Sequence, residues 1–370
     1  MRANLRHAAG SLLVVGLGGT ELTGLERAWL KLVRPAGIIL FKRNIAEAKQ
    51  TRILLDHATA FCAPHSFRCV DVEGGTVDRL RDALAPMPSA QAVMTAAVRS
   101  GDRSLIREHG ELIAQAAKAF GFNTTLAPVL DLALSASAKV LGTRAPAATA
   151  EGVVEYVRGF LAGLAAHGVA GCGKHFPGLG GGTLDSHLET PAIHRTTREL
   201  NREDLVPYRA LRNHLPMVMV NHAAYPDTPG VNLPASVSPY WINSVLRKKI
   251  GYHGIIFSDD LEMGGILNFL PIEEAVIAAV RAGMDLMEIC HSPELILRAY
   301  ESLIAEGERS AAFRGLVLAR ARETAIKRKK LFSAKASASL SKRQFEALQT
   351  KILRFCAATA QSQPSEVEPG

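Results

Sequence analysis

The run Gly254–Asp260, "GIIFSDD", decides the fold. Four apolar or small residues in succession, without the alternation of a half-exposed strand, read as a strand buried on both faces. The run then ends on two carboxylates, which a buried strand tolerates only where it reaches a mouth or a site. Seven more segments share the first property. They are "SLLVVGL" from Ser11, "GIILF" from Gly37, "FRCVDV" from Phe67, "FNTTLAPV" from Phe122, "VAGCGKHF" from Val169, "PMVMVNH" from Pro216 and "MDLMEIC" from Met284.

Between these runs the apolar period changes to that of helices. Leu105, Ile106, Leu112, Ile113, Ala116 and Phe120 recur on one face, as do Val153, Val157, Phe160, Leu161 and Leu164 within residues 151–167. "VSPYWINSVLRKKIG" offers Ser238 as N-cap, Pro239 in the first turn and Gly251 as a stop. Eight buried strands alternating with helices predict an α/β fold, a single (β/α)8 TIM-type barrel with one early unit irregular. The barrel domain is expected over residues 1–332. Residues 333–370 read as a low-complexity tail, with a helical patch from Phe345 to Phe355 and a disordered "QSQPSEVEPG".

Composition narrows the function. The 370 residues carry 48% apolar side chains and a formal charge of +8. Much of the excess sits in Arg320, Arg322, Lys327, Arg328, Lys329 and Lys330, which read as a solvated helix face. Without basic and aromatic residues interleaved, no nucleic-acid partner is expected. Five scattered cysteines with no CxxC pair fit a reducing compartment. "AAGSLLVVGLGG" after Arg2 and Arg6 has the look of a short export signal, but its centre reads better as the first strand. No run is long enough for membrane insertion.

Ionisable and strongly polar residues cluster where barrel chemistry sits, at the carboxyl ends of strands. Asp71 and Glu73 close the third, Asp131 follows the fourth, Lys174 and His175 end the fifth, Asn221 and His222 the sixth, Asp259 and Asp260 the seventh, Glu288 and His291 the eighth. A metal centre is disfavoured, because Lys174 beside His175 would repel a cation. "GLGGGT" lacks the lysine order of a phosphate loop. What remains is acid/base work with a nucleophile, as in glycoside hydrolysis. "FSDD" supplies a rigid carboxylate. Asp185 and His187, on a glycine-rich loop, supply a proton, since imidazole is roughly one quarter protonated at neutral pH and a carboxylate raises that share. Lys174, Arg79 and Arg144 suit hydroxyl or carboxylate contacts. Asp260 and Glu73 read as hydrogen-bonded braces, and His222 as part of the pocket wall.

Together, "KHFPG…DSH", "DVEGG", "LAPVLDL", "GTR", "PASVSP" and "FSDDLEMGGI" resemble the family 3 glycoside hydrolases, most closely the β-N-acetylglucosaminidases of the NagZ type. The resemblance runs from Leu12 to Phe332. It implies a cytoplasmic, monomeric, retaining exo-enzyme of peptidoglycan recycling. Such an enzyme removes terminal N-acetylglucosamine from 1,6-anhydro-muropeptides and uses no cofactor or metal. It also implies Asp259 as nucleophile, His187 as acid/base tuned by Asp185, and Asp71, Arg79, Arg144, Lys174 and His175 as sugar contacts. Thr76 stands where the family has arginine, Leu179 and Gly181 where it has histidine and aspartate, and "GTRAP" replaces "GDRSF". A β-glucosidase or a catalytically weak sugar-binding protein are the alternatives.

Overall fold

The computed structural model describes residues 4–182, 191–230, 233–332 and 339–360. Each of the eight expected runs holds a strand: β1 (Leu13–Gly16), β2 (Gly37–Leu40), β3 (Phe67–Val70), β4 (Thr124–Thr125), β5 (Ala170–Phe176), β6 (Met217–Val220), β7 (Ile255–Asp260) and β8 (Leu286–Ile289). They pair in parallel, in chain order, and close on themselves. Closure sets Val14 beside Glu288 and Val15 beside Ile289. The segment that resembled an export signal therefore contains a wall strand of the barrel.

Continuous apolar runs are needed because each strand has two buried faces. One set of side chains, with Val14, Ile39, Cys69, Leu126, Cys172, Met219, Phe257 and Leu286, fills the barrel interior. The alternate set, with Val15, Ile38, Val70, Val218, Ile256 and Met287, packs outward beneath the helices. At the start of β3 the Phe67 ring meets Phe257 at 6.0 Å and Phe332 at 5.0 Å, edge on. These rings stop the amino-terminal end, so polar chemistry is left to the other mouth.

The irregular unit follows β3. A short hairpin, Val72–Gly74 against Val77–Asp78, and two helices, α1 (Ala90–Ser100) and α2 (Ser104–Ala119), precede β4. Gly74 has φ of 90°, and a Cβ there would lie 2.0 Å from the Pro88 carbonyl oxygen, so the turn demands glycine. Ladder pairing at β4 stops short of Pro128, which has no N–H to donate. Helix α3 (Ala150–Ala166) matches the expected one within a residue. Helix α4 (Tyr240–Lys249) differs. It winds as a π-helix, with the Ile250 N–H on the Val245 carbonyl, and starts after Pro239 without a side-chain cap, so Ser238 is not its N-cap. Gly251, at φ 74°, ends it as expected.

The late basic helix α5 (Ala311–Leu331) is not simply a solvated face. Arg328 is 1% exposed and donates to the Ala36 carbonyl, while Arg320, Lys327 and Arg247 converge on the buried Asp285. Burial pushes the Arg328 guanidinium down to about 10. Only Arg322, Lys329 and Lys330 of that run face water. Beyond the undescribed residues 333–338, helix α6 (Lys342–Ala360) is longer than the expected patch. It buries Leu348, Ile352 and Phe355 against α1 and α2, and Phe355 stacks on His109. The segment read as disordered, 361–370, lies outside the described residues. Among the described residues no helix is long and apolar enough to cross a membrane.

Candidate active site

Six of the eight residues singled out for chemistry line one cavity of about 320 Å³ at the carboxyl ends of the strands: Asp71, Arg79, Arg144, Lys174, His175 and Asp259. The other two, Asp185 and His187, belong to residues 183–190 and lie outside the described residues. The chain on either side of that segment is tied to the same mouth. Leu179 donates its N–H to Asp131 Oδ1 at 2.7 Å, and Ile193 and Pro191 pair with Ala224, just past β6.

The wall from β3 to β5 is an ionic lattice. Lys174 reaches Asp71 Oδ1 at 3.0 Å and Glu73 Oε1 at 2.7 Å. Arg144 grips Glu73 with two donors, at 2.8 and 2.9 Å. Burial alone would raise the Glu73 carboxyl, but the two cations outweigh it and hold it well below the usual range. Burial alone would likewise lower Lys174, and Asp71 and Glu73 hold it well above. Glu73 is therefore a brace, as expected. Asp131, beneath the floor, accepts from the backbone and Nδ1 of His175, the latter at 2.7 Å, which leaves Nε2 on the side of Arg144. Arg79 extends to 3.9 Å from Asp71.

At β7 and β8 three carboxyl groups sit in different environments. Asp259 accepts the Asp260 N–H at 3.0 Å. Burial would raise it, but the fields of His175, His222 and Lys174 prevail and keep it below the usual range. Asp260 is pushed up to about 7, chiefly by burial, and it accepts the Glu262 N–H at 3.0 Å as a turn brace. Glu288, 2% exposed, is raised well above the ordinary range by burial and by the neighbouring carboxylates. Environment thus sorts one ionised acid from two that tend to keep their protons.

Two expectations need correcting. His222 is fully buried behind the cavity rather than on its wall, with Nε2–H donating to the Asp260 carbonyl at 2.9 Å and Nδ1 2.7 Å from Ser236 Oγ. Asn221 likewise stays behind, holding the His175 carbonyl and Tyr225. The sequence reading also passed over Phe41, just beyond β2, whose ring lies 5.2 Å from that of His291 at the rim. Arg43 joins them, 4.8 Å above Phe41 and 3.0 Å from His291 Nδ1. Its only sequence signal is a basic residue soon after a strand, which surface lysines share.

Among the described residues one group could offer a metal three ligand atoms within 4.8 Å of one another: Asp260, Glu262 and the exposed His291. The Arg43 guanidinium beside His291 opposes a cation there. What the cavity offers instead is a fixed ionised carboxylate, a lysine and two arginines around a space of monosaccharide size, suited to a polyhydroxyl ligand.

Residues 5–315 match the glycosyl hydrolase family 3 N terminal domain. A curated β-hexosaminidase of Alkalilimnicola ehrlichii is 40% identical over 289 residues, 77% of this chain and 82% of that protein. Among solved structures, a family 3 β-N-acetylglucosaminidase from Paenibacillus superposes with a TM-score of 0.84 at 30% identity, over 96% of this chain and 69% of the other. Native NagZ from Neisseria gonorrhoeae superposes with a TM-score of 0.75 at 27% identity, over 96% and 98%.

Proposed function

The chain belongs to glycosyl hydrolase family 3 and is a glycoside hydrolase of the β-hexosaminidase kind, and from this premise we propose that it is a retaining exo-β-N-acetylglucosaminidase acting on 1,6-anhydro-muropeptides. The observation that carries the mechanism is the sorting of carboxyls at β7 and β8. Asp259, on the cavity surface, is held below the usual carboxylate range, while Asp260 is pushed up to about 7 and Glu288 is raised well above that range.

In the proposed reaction an Asp259 oxygen attacks the anomeric carbon as its bond to the aglycone oxygen breaks. His187, oriented by Asp185, gives its proton to the leaving oxygen. A water then attacks the glycosyl ester, returns a proton to His187 and frees the sugar with its configuration retained. Asp71, Arg79, Arg144, Lys174 and His175 hold the sugar hydroxyls. Likeness to NagZ over nearly its whole length supports the muropeptide substrate and a role in cell-wall recycling. Five unpaired cysteines are consistent with a cytoplasmic site of action, where the protein works as a monomer without cofactor or metal. All residues lining the cavity precede position 332, which supports the barrel of residues 1–332 as the catalytic unit and 333–370 as an appendage.

The test is hydrolysis of 4-methylumbelliferyl N-acetyl-β-glucosaminide and of the matching glucoside, with chelator present, beside an Asp259→Ala variant. The acetamido sugar should be turned over in chelator and the glucoside spared. The variant should lose on the order of 10⁴-fold or more. Preference for the glucoside would make the protein a β-glucosidase, and sugar binding without fluorophore release would make it a binding protein.

A further inference from the structure

The inward-facing positions along β8 and the residue that follows it are Leu286, Glu288 and Cys290, and the first and third belong to the apolar barrel interior. Glu288 lies between them, next to Val14 on one side and Asp260 on the other. The cavity floor around it is apolar, formed by Ile39, Leu126, Met219 and Cys290. A leucine at 288 would fill that layer without desolvating anything. Instead the chain places there a carboxyl that is 2% exposed, lines the cavity, and has an oxygen, Oε1, without a hydrogen-bond partner among the described residues. Buried polar atoms are almost always satisfied, so a cavity-lining carboxyl that holds an orphan oxygen calls for a partner that the cavity can admit.

We propose that Glu288 is a substrate-binding residue, whose side-chain carboxyl hydrogen-bonds a hydroxyl of the terminal sugar from the cavity floor. The inference rests on the reading of the cavity as the site of that sugar. Burial and the neighbouring carboxylates favour its protonated form, which has one donor and a free acceptor and so matches a hydroxyl in both senses. A neutral group there also adds no second negative charge beside Asp259, which would disfavour the ionised form of that carboxylate. A site built in this way discriminates strongly against a sugar lacking that hydroxyl, because the buried group is then left unpaired.

The test is calorimetric titration of wild type, Glu288→Gln and Glu288→Leu with N-acetylglucosamine and its 3-, 4- and 6-deoxy analogues, with aryl glycoside turnover followed in parallel. Leucine should weaken binding of the parent sugar about ten- to a hundredfold, while glutamine, which keeps a donor and an acceptor, stays within about threefold. One deoxy analogue should lose as much on wild type and lose nothing further on the leucine variant, as coupled partners do. Wild-type affinity in the leucine variant, losses that multiply for all three analogues, or a wild type that binds none of these sugars would each overturn the proposal. Binding with the expected coupling but no turnover would leave it standing and count against the hydrolytic mechanism instead.

Discussion

Glu73 and Arg144 meet through two parallel contacts, Nε to Oε2 at 2.8 Å and Nη2 to Oε1 at 2.9 Å, and Lys174 takes Glu73 Oε1 as well at 2.7 Å. A single buried carboxylate thus fixes two cations that the cavity presents to its ligand. Arg144 spends two donors on this brace, and its Nη2 also lies 3.4 Å from His175. The part in holding a sugar that we propose for it is therefore oriented by Glu73, and the geometry of two wall residues depends on one side chain that need not touch substrate.

Replacing Glu73 by Gln leaves the buried Lys174 and the half-buried Arg144 short of a counter-charge, at a cost of about 3–5 kcal/mol in unfolding free energy near neutral pH. The sign with pH follows from a folded-state value lying below the ordinary 4.5. The stabilisation is present above that value and is lost as pH falls below it, because the unfolded chain takes up the proton first. Urea titrations at pH 7 and at pH 3.5 should therefore show a smaller gap between wild type and variant in acid. A constant gap would remove the ionic account of the wall.

Asp260 predicts the opposite slope. Its carboxyl is pushed up from an ordinary 3.8 to about 7, so between those values the unfolded chain releases a proton that the folded chain keeps. Stability is fully present below about pH 4 and drains as pH rises toward 7, by up to about 4 kcal/mol. Asp260→Asn keeps the Oδ1 that accepts the Glu262 N–H and has no proton to lose. Thermal melts should show it neutral at pH 4 and stabilising at pH 8. Equal melting shifts at both values would contradict the assignment.

The tail helix gives a prediction about stability alone. Ile352 is fully buried where α6 meets the barrel helices, and Gln349 anchors the same helix on the Leu84 carbonyl at 2.7 Å. Ile352→Ala should cost about 2–5 kcal/mol if the contact belongs to the cooperative fold. KM for the aryl glycoside should not move, since neither Leu348, Ile352 nor Phe355 lines the cavity. A changed KM with unchanged stability would mean that α6 acts on the site.

How far the sequence could be read follows from the range of the interactions. The eight strands were legible because a doubly buried strand needs an unbroken apolar run, which is local information. The strand-end carboxylates were legible for the same reason, since "SDD" closes such a run. The Glu73–Arg144 grip was not, because 71 residues separate the partners and nothing local distinguishes a buried arginine. Lys327 and Arg328 looked like surface charges for that reason, although their contacts lie at Asp285 and Ala36. Phe41 and His291 form one rim surface only once β2 and β8 flank β1. The π-winding of α4 moves each hydrogen bond by one residue, a change that apolar periodicity over ten residues does not resolve.

The proposed proton donor, His187, offers the sharpest test, because it is expected from sequence and lies in residues 183–190, outside the described residues. A general acid matters in proportion to how poor the leaving group is, and contributes about 10²–10⁴-fold where it is needed. His187→Ala should thus lose that factor in kcat/KM on an alkyl N-acetyl-β-glucosaminide, whose alkoxide cannot depart unprotonated. The umbelliferyl glycoside, with a stabilised leaving anion, should lose far less in the same step. Its second step still lacks a base, so the glycosyl ester on Asp259 should accumulate. Rapid mixing would then show a burst of one fluorophore per protein, and mass spectrometry a peptide carrying N-acetylglucosamine on Asp259. Equal losses on both glycosides, or no burst, would assign the proton to another residue. Asp185→Asn should repeat the pattern more mildly if the carboxylate tunes the imidazole, and an unchanged rate would detach Asp185 from the dyad.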